Sequence, residues 1–208
     1  TGASLTSGAS YYITSQALDL AANLEPFYNV RGATFTFDST APESFITVPQ
    51  DGKFLNTLAT LNGGAFDAIA LSTVALSVRD ASSAGPNNCY VPGGAFTTAC
   101  PGWFKASGSN NPWNFTFSPQ SWSDGHQYVI VSSATDLAGN PQVALSSAGF
   151  TYDVMQPTAT LTTPAWINAS ITAFIGTSTD ATSGISTLQV AVSSAAGAAN
   201  SWWDGFSF

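Results

Sequence analysis

Charge is what this sequence has least of. Only 8% of its 208 residues are Asp, Glu, Lys or Arg, against about 25% in an ordinary globular domain. The bases are just Arg31, Lys53, Arg79 and Lys105, and twelve acids bring the formal net charge to -8. No basic surface is left to hold phosphates, which excludes nucleic acid as a partner. His126 is the single histidine, beside Gly125 in a turn-like stretch; it is expected to be a solvent-exposed loop side chain and not a catalytic base. There is no nucleophile motif and no Gly-rich loop between a strand and a helix to cradle a phosphate, so the chain is expected not to be an enzyme. No apolar run approaches the ~18 residues of a spanning helix, which excludes a membrane span in this segment. Sustained helical periodicity is missing as well, and no helix is expected.

What the chain has instead is aromatic and small polar residues. Its 14 Phe, 6 Tyr and 6 Trp supply enough apolar surface to exclude disorder, and the abundance of Ser, Thr, Ala and Gly suits pleated strands and turns. The only cysteines, Cys89 and Cys100, flank a Pro-Gly-Gly centre in CYVPGGAFTTAC. That centre can reverse the chain, so a disulfide closing a hairpin is expected, the alternative being two free buried thiols. A disulfide implies an oxidising, extracellular setting.

An internal repeat organises the rest. Residues 125–140, GHQYVIVSSATDLAGN, have a counterpart in residues 8–23, GASYYITSQALDLAAN. Tyr11, Ile13, Ser15 and Ala17 match Tyr128, Ile130, Ser132 and Ala134, and Asp19, Leu20, Ala21 and Asn23 match Asp136, Leu137, Ala138 and Asn140. The first four fall on alternate residues, the period of a strand with one face buried, so they are expected to point inward. The Asp-Leu-Ala-Gly-Asn that follows reads as a tight turn. A second strand comes after each turn, ATFTFD at residues 33–38 and AGFTYD at residues 148–153; then Pro42 matches Pro157, Asp67 matches Asp180, and STVALSV at 72–78 matches STLQVAV at 186–192. The period is near 115 residues, and the chain reads as an array of units.

The expected organisation is the last strands of one unit in residues 1–35, a complete unit in 36–152, and the first part of another in 153–208. Strands are expected at 11–17, 33–38, 44–48, 56–61, 72–78, 89–91 with 95–98, 103–106, 113–117, 128–134 and 148–152, punctuated by Gly, Pro, Asn and Ser at the spacing of a β-sandwich. Opening in mid-repeat, the chain reads as a segment of a longer polypeptide. The two end pieces hold complementary parts of one sandwich, so head-to-tail self-assembly of copies into a filament is an expectation, beside continuation of the repeat in one chain.

The tyrosine strand followed by ATDLAGN, the FTYD strand, and the spacings Asp38 to Pro42 and Asp153 to Pro157 resemble the bacterial immunoglobulin-like (Big-type) tandem repeats of very large surface and adhesin proteins. The resemblance covers nearly the whole chain. It implies tandem immunoglobulin-like Greek-key β-sandwiches, all-β, with Tyr11 and Tyr128 as corner tyrosines. It also implies a cell-surface stalk or filament module whose partners are neighbouring immunoglobulin-like repeats. The alternative within the same resemblance is an adhesin module recognising a carbohydrate or protein on another surface.

Six of the acids fall in matched pairs at strand ends: Asp19 with Asp136, Asp38 with Asp153, Asp67 with Asp180. Carboxylates gathered at one domain end repel unless a cation neutralises them, and calcium, which takes six to eight oxygens, accepts such loops. The resemblance implies Asp38 or Asp153 as junction ligands with Asp136 as helper. The competing reading has all six capping turns through backbone amides. Trp103, Trp113, Trp122, Trp166, Trp202 and Trp203 allow a carbohydrate platform, but core and edge packing is the simpler expectation. Asn114-Phe-Thr and Asn168-Ala-Ser match the glycosylation triplet, which is frequent by chance in a chain this rich in Ser and Thr.

Overall fold

A computed structural model describes residues 2–26, 32–108, 111–117, 122–162 and 173–193. It is all-β, with no helix among the described residues. The chain divides into two compact units, Thr1–Tyr152 and Asp153–Phe208.

The first unit opens with the hairpin β1 (Ser10–Thr14) and β2 (Gly32–Thr36), a two-stranded antiparallel sheet of its own. Strands β3 (Glu43–Val48), β5 (Thr60–Phe66), β10 (Ser107–Gly108) and β11 (Trp113–Thr116) make a second sheet in the order β10-β11-β5-β3. The third joins β4 (Lys53–Leu55), β6 (Leu71–Asp80), β7 (Cys89–Val91), β8 (Ala95–Thr98), β12 (Gln127–Asp136) and β13 (Ser146–Tyr152) in the order β4-β13-β12-β6-β7-β8, with β9 (Phe104–Lys105) also on β6. The second and third sheets face each other as a β-sandwich. Leu61 and Trp113 of one meet Val74, Leu76, Val78, Tyr90, Phe104, Tyr128, Ile130 and Phe150 of the other, all buried. Five aromatic rings, Tyr90, Phe96, Phe104, Phe115 and Phe117, interlock with Tyr90 at their centre, its ring 5.1 to 6.0 Å from the other four. Cys89 and Cys100 are bonded across the β7–β8 hairpin, so the expected disulfide is present.

Strand β12 shows the expected alternation: Tyr128, Ile130, Ser132, Ala134 and Asp136 are all buried. Its counterpart β1 does not, because it has a partner strand on one side only among the described residues and no sheet facing it. Ile13 is 59% exposed where Ile130 is 0%. The repeat nevertheless persists in hydrogen bonds. Tyr128 Oη accepts the Ser123 amide at 2.7 Å and Tyr11 Oη accepts the Thr6 amide at 2.7 Å, each five residues back along the chain. Both tyrosines therefore tie their strand back to the preceding chain in the same way. Tyr128 stacks on Phe150 at 5.3 Å and Tyr11 on Phe35 at 5.5 Å, each directly opposite its partner in the strand register.

The second unit contains the antiparallel hairpin β14 (Thr158–Thr162) and β15 (Ile175–Thr179). Its register reproduces that of β3 with β5. Thr158 faces Thr179 as Glu43 faces Phe66, and Leu161 faces Gly176 as Ile46 faces Gly63.

The strand expected at 56–61 forms instead at Thr60–Phe66, through a Gly63-Gly64 pair that composition marks as a break. Those glycines serve close approach. A Cβ on Gly63 would collide with the Phe45 carbonyl and the Trp113 indole, and one on Gly176 with the Thr160 carbonyl, the equivalent atom. Strands β4 and β10, three and two residues long, are too short to show alternation and were not anticipated, and β1 ends at Thr14 short of Ala17. Because Trp113 is fully buried on Gly63 and donates its indole N–H to the Gly64 carbonyl at 3.0 Å, Gly63→Ala is expected to destabilise the sandwich by about 1–3 kcal/mol. Urea denaturation followed by tryptophan fluorescence checks this, and an unchanged midpoint refutes the seating of Trp113.

Candidate functional site

Three connections reach one end of the sandwich. The segment from β2 to β3 brings Asp38, the turn from β5 to β6 brings Asp67, and the end of β12 brings Asp136. One carboxylate oxygen from each lies within 4.8 Å of the other two. One member of each matched pair is thus gathered at a single place. The other three are not members of this group. Asp19 caps the loop after β1, Asp153 is buried and accepts the Met155 amide at 3.1 Å, and Asp180 accepts the amides of Thr182, Ser183 and Gly184 in the second unit.

Each of the three also caps its own turn, as the competing reading required. Asp136 Oδ1 accepts the Asn140 amide at 2.8 Å and Oδ2 accepts the Asn140 side chain at 2.7 Å. The loop after β1 repeats this arrangement, Asn23 donating to both oxygens of Asp19 at 2.8 Å. Asp38 Oδ1 accepts the amide and hydroxyl of Thr40 and, at 3.3 Å, the hydroxyl of Ser7, which ties the segment before β1 to the start of the sandwich. Asp67 Oδ1 accepts the amides of Ile69 and Ala70. Capping leaves one buried carboxylate oxygen over, since Asp67 Oδ2 has no hydrogen-bond partner. A buried carboxylate oxygen without a donor is costly, and no Lys or Arg among the described residues forms an ion pair with these three groups. Burial opposes the charge on Asp136, but the side chain and amide of Asn140 with the amides of Gly139 and Ala138 outweigh it and hold the carboxyl below its usual range. It is ionised at neutral pH.

Carboxylate oxygens gathered within 4.8 Å of one another are ligands of the kind that hard divalent cations take.

His126 is placed differently from the exposed loop residue expected. Its ring is half-buried, and Nδ1 lies 2.8 Å from Oδ2 of Asp80, the buried last residue of β6. Sequence reading passed over Asp80 because its partner comes from a distant loop; the only local signal is Asp-Ala-Ser-Ser, whose Ser82 and Ser83 amides cap Asp80. Among the tryptophans, Trp113 is buried in the core, Trp122 is half-buried and bonded to the Leu58 carbonyl at 2.8 Å, and Trp103 is exposed. Trp166, Trp202, Trp203 and Asn168 lie outside the described residues. Asn114 sits within β11, opposite Asn62.

The chain matches no protein-family profile, no curated protein and no solved structure.

Burial of Asp80 opposes its charge, but the Ser83 hydroxyl, His126 and the Ser82 amide outweigh it and lower its pKa from the ordinary 3.8. A depressed folded-state pKa contributes stability above the unfolded value and loses it as pH falls through the folded one. Asp80→Asn is therefore expected to cost about 1–3 kcal/mol at neutral pH, with variant and parent converging below pH 3.8. Thermal denaturation across pH checks this; a deficit that grows in acid contradicts the assignment.

Proposed function

We propose that this chain is a non-enzymatic structural module, a set of immunoglobulin-like units in an extracellular stalk or filament, joined to neighbouring units of the same kind and stiffened by calcium at Asp38, Asp67 and Asp136. The observation that carries this reading is the reuse of hairpin registers: β1–β2 copies β12–β13, and β14–β15 copies β3–β5, down to the glycine that admits a neighbouring carbonyl. The strand order further supports it. With β3 to β13 named in sequence, one sheet follows the A-B-E-D order of an immunoglobulin sandwich and the other its G-F-C order with added edges. The Cys89–Cys100 bond fits a non-reducing compartment.

Force-bearing follows from one pairing. Strand β4, near the entry of the sandwich, runs parallel to β13 at its exit, with Lys53, Phe54 and Leu55 opposite Phe150, Thr151 and Tyr152. Tension applied through the two ends draws parallel neighbours in opposite directions, so these bridges load together in shear instead of opening one by one. The exposed aromatics of the sandwich are divided between its two sheets, Phe45 and Phe66 on the paired β3 and β5 and Phe54 and Trp103 on β4 and the approach to β9, whereas a binding module concentrates them in one patch.

Calcium is held at the place where the β1–β2 hairpin leads into the sandwich, because Asp38 bonds to Ser7 on one side while the Asn140 side chain donates to its carbonyl at 3.2 Å on the other. Neutralising the carboxylates and giving Asp67 Oδ2 a partner stabilises that connection. The expected result is a melting temperature that rises with calcium and more weakly with magnesium, and a response lost in Asp67→Asn, whose fold is retained because an amide oxygen still caps Ile69 and Ala70. An equal calcium response in Asp67→Asn removes the site from the proposal.

The force-bearing role is tested by pulling on the chain through residues flanking the sandwich. Phe54→Pro deletes an amide of β4 and is expected to lower the unfolding force while the β12–β6 pairing, measured by hydrogen exchange, stays protected. An unfolding force indifferent to Phe54→Pro overturns the shear mechanism.

A further inference from the structure

The two half-cystines of the sandwich differ in their surroundings. Cys89 in β7 is 0% exposed, whereas Cys100, at the end of the segment that returns from β8, is an exposed residue. Pairing of β6 with β7 sets Arg79 directly opposite Cys89, on the outer face of the sheet, since its neighbours Val78 and Asp80 are buried. Arg79 is exposed and forms neither an ion pair nor a side-chain hydrogen bond among the described residues. Beside the bond is a hollow of about 320 Å³, walled by Arg79, Ser77, Val129, Val131, Pro101 and both half-cystines. That is the size of a small-molecule pocket.

The polar groups at the two sulfurs also differ. Ser77 is 4% exposed, and the partner of its hydroxyl is Cys89 Sγ at 3.7 Å. A disulfide sulfur carries no hydrogen, so the hydroxyl donates. Cys100 Sγ instead has Asn88 Oδ1 beside it at 3.0 Å. The Asn88 amide nitrogen donates to the carbonyls of Asp80 and Ser83, which fixes the side chain with its acceptor oxygen toward Cys100. Negative charge is therefore stabilised on Cys89, by Ser77 and the facing guanidinium, and opposed on Cys100.

We propose that the Cys89–Cys100 bond is a site of reversible exchange with small carboxylate-bearing thiols, which bind in the hollow under Arg79 and become attached to Cys100. The incoming thiolate attacks Cys100 Sγ, a bond forms between those two sulfurs, and the bond to Cys89 breaks with its electron pair leaving on Cys89. Cys89 then takes up from solvent the proton that the incoming thiol gave up. The incoming sulfur is oxidised to the disulfide level and Cys89 is reduced to a thiol, so one S–S bond replaces another and the thiol is the sole co-reactant. Attack of Cys89 on the mixed disulfide reverses the step and releases the thiol. Arg79 acts twice, drawing in the carboxylate and facing the thiolate that leaves. The core is not disturbed, because Tyr90, next to Cys89 in β7, packs among the rings on the other face of the sheet. The inference does not depend on the stalk reading and concerns a different part of the sandwich from the carboxylate cluster.

Three small thiols of different charge test this on the intact folded chain: mercaptoacetate, mercaptoethanol and cysteamine. Each rate of adduct formation is divided by the rate of the same thiol on the disulfide of mercaptoethanol, which removes differences in acidity and nucleophilicity. Peptide mass mapping after acid quenching and alkylation is expected to find the adduct on Cys100 and the alkyl group on Cys89. Mercaptoacetate is expected to exceed cysteamine by about fivefold in normalised rate, with mercaptoethanol between them. Arg79→Gln is expected to bring the three rates together. Arg79 is exposed, so this substitution spares the core, and Lys53→Gln, which removes the same charge from β4, is expected to keep the parent order. A bond inert to all three thiols, adducts on Cys89, or rates blind to thiol charge overturn the proposal. So does a charge preference that survives Arg79→Gln or is lost equally in Lys53→Gln. The calcium and pulling measurements do not involve this bond, so a failure here leaves the structural-module reading standing.

Discussion

Pairing of β12 with β6 is the contact from which the sandwich is built. Nine residues of β12, Tyr128 to Asp136, face β6, and the same strand pairs with β13 on its other edge. A strand paired on both edges must send its alternate side chains into the core, and these are Tyr128, Ile130, Ser132 and Ala134. Tyr128 couples the strand to the rest: its ring meets Phe96, Trp122 and Phe150, and its hydroxyl fixes the turn at Ser123. Ser132 does the same in polar terms. It bonds Ser44 on the facing sheet, which in turn donates to Gln142 Oε1 at 2.6 Å, while the Ala134 amide donates to the same Gln142 oxygen at 2.9 Å. Every member of that buried network has a partner, the condition under which burying polar groups specifies a packing arrangement instead of weakening it.

The scarcity of charge explains how the loops are built. With so few Lys and Arg, aspartates cannot be neutralised by ion pairs, and the described structure shows what replaces them. Asp19, Asp67, Asp80, Asp136 and Asp180 each accept backbone amides within a few residues. Such bonds are local and survive repetition of the sequence, so the Asp-to-Asn loops after β1 and β12 close alike although one hairpin stands open and the other is buried. They do not remove like-charge repulsion where three such loops converge. That residual is what makes the Asp38, Asp67 and Asp136 end chemically distinct from the other capped turns.

How far the sequence revealed this depends on the range of each interaction. The β12 alternation, the disulfide hairpin and the Asp-to-Asn turns were legible because their determinants lie within a dozen residues. The strand through Gly63 and Gly64 was not, because the reason for those glycines is Trp113, some fifty residues on. The three carboxylates were individually visible as matched pairs, but their convergence depends on how the β2–β3, β5–β6 and post-β12 connections share one end of the sandwich. His126 was misjudged for the same reason. Asp80, which holds it, is far away in sequence and close only through the β6–β12 pairing.

Edge protection follows from the same composition. Sheets commonly discourage pairing at their edges with lysine, proline or inward charge, and this chain has almost no lysine to spend. In the two facing sheets three of the four edges are blunted by length instead, β4, β8 and β10 having three, four and two residues, while the fourth, β3, has six and begins with the charged Glu43. The outer hairpins lack that protection, since β1, β14 and β15 are each five residues long and carry half-exposed Ile13, Leu161 and Ile175. Threonine pairs line one face of the β14–β15 hairpin, Thr158 with Thr179 at 3.1 Å and Thr160 with Thr177 at 2.8 Å. Brevity thus guards three of the four sandwich edges and a charge marks the start of the fourth, whereas the described strands of the outer hairpins carry neither device.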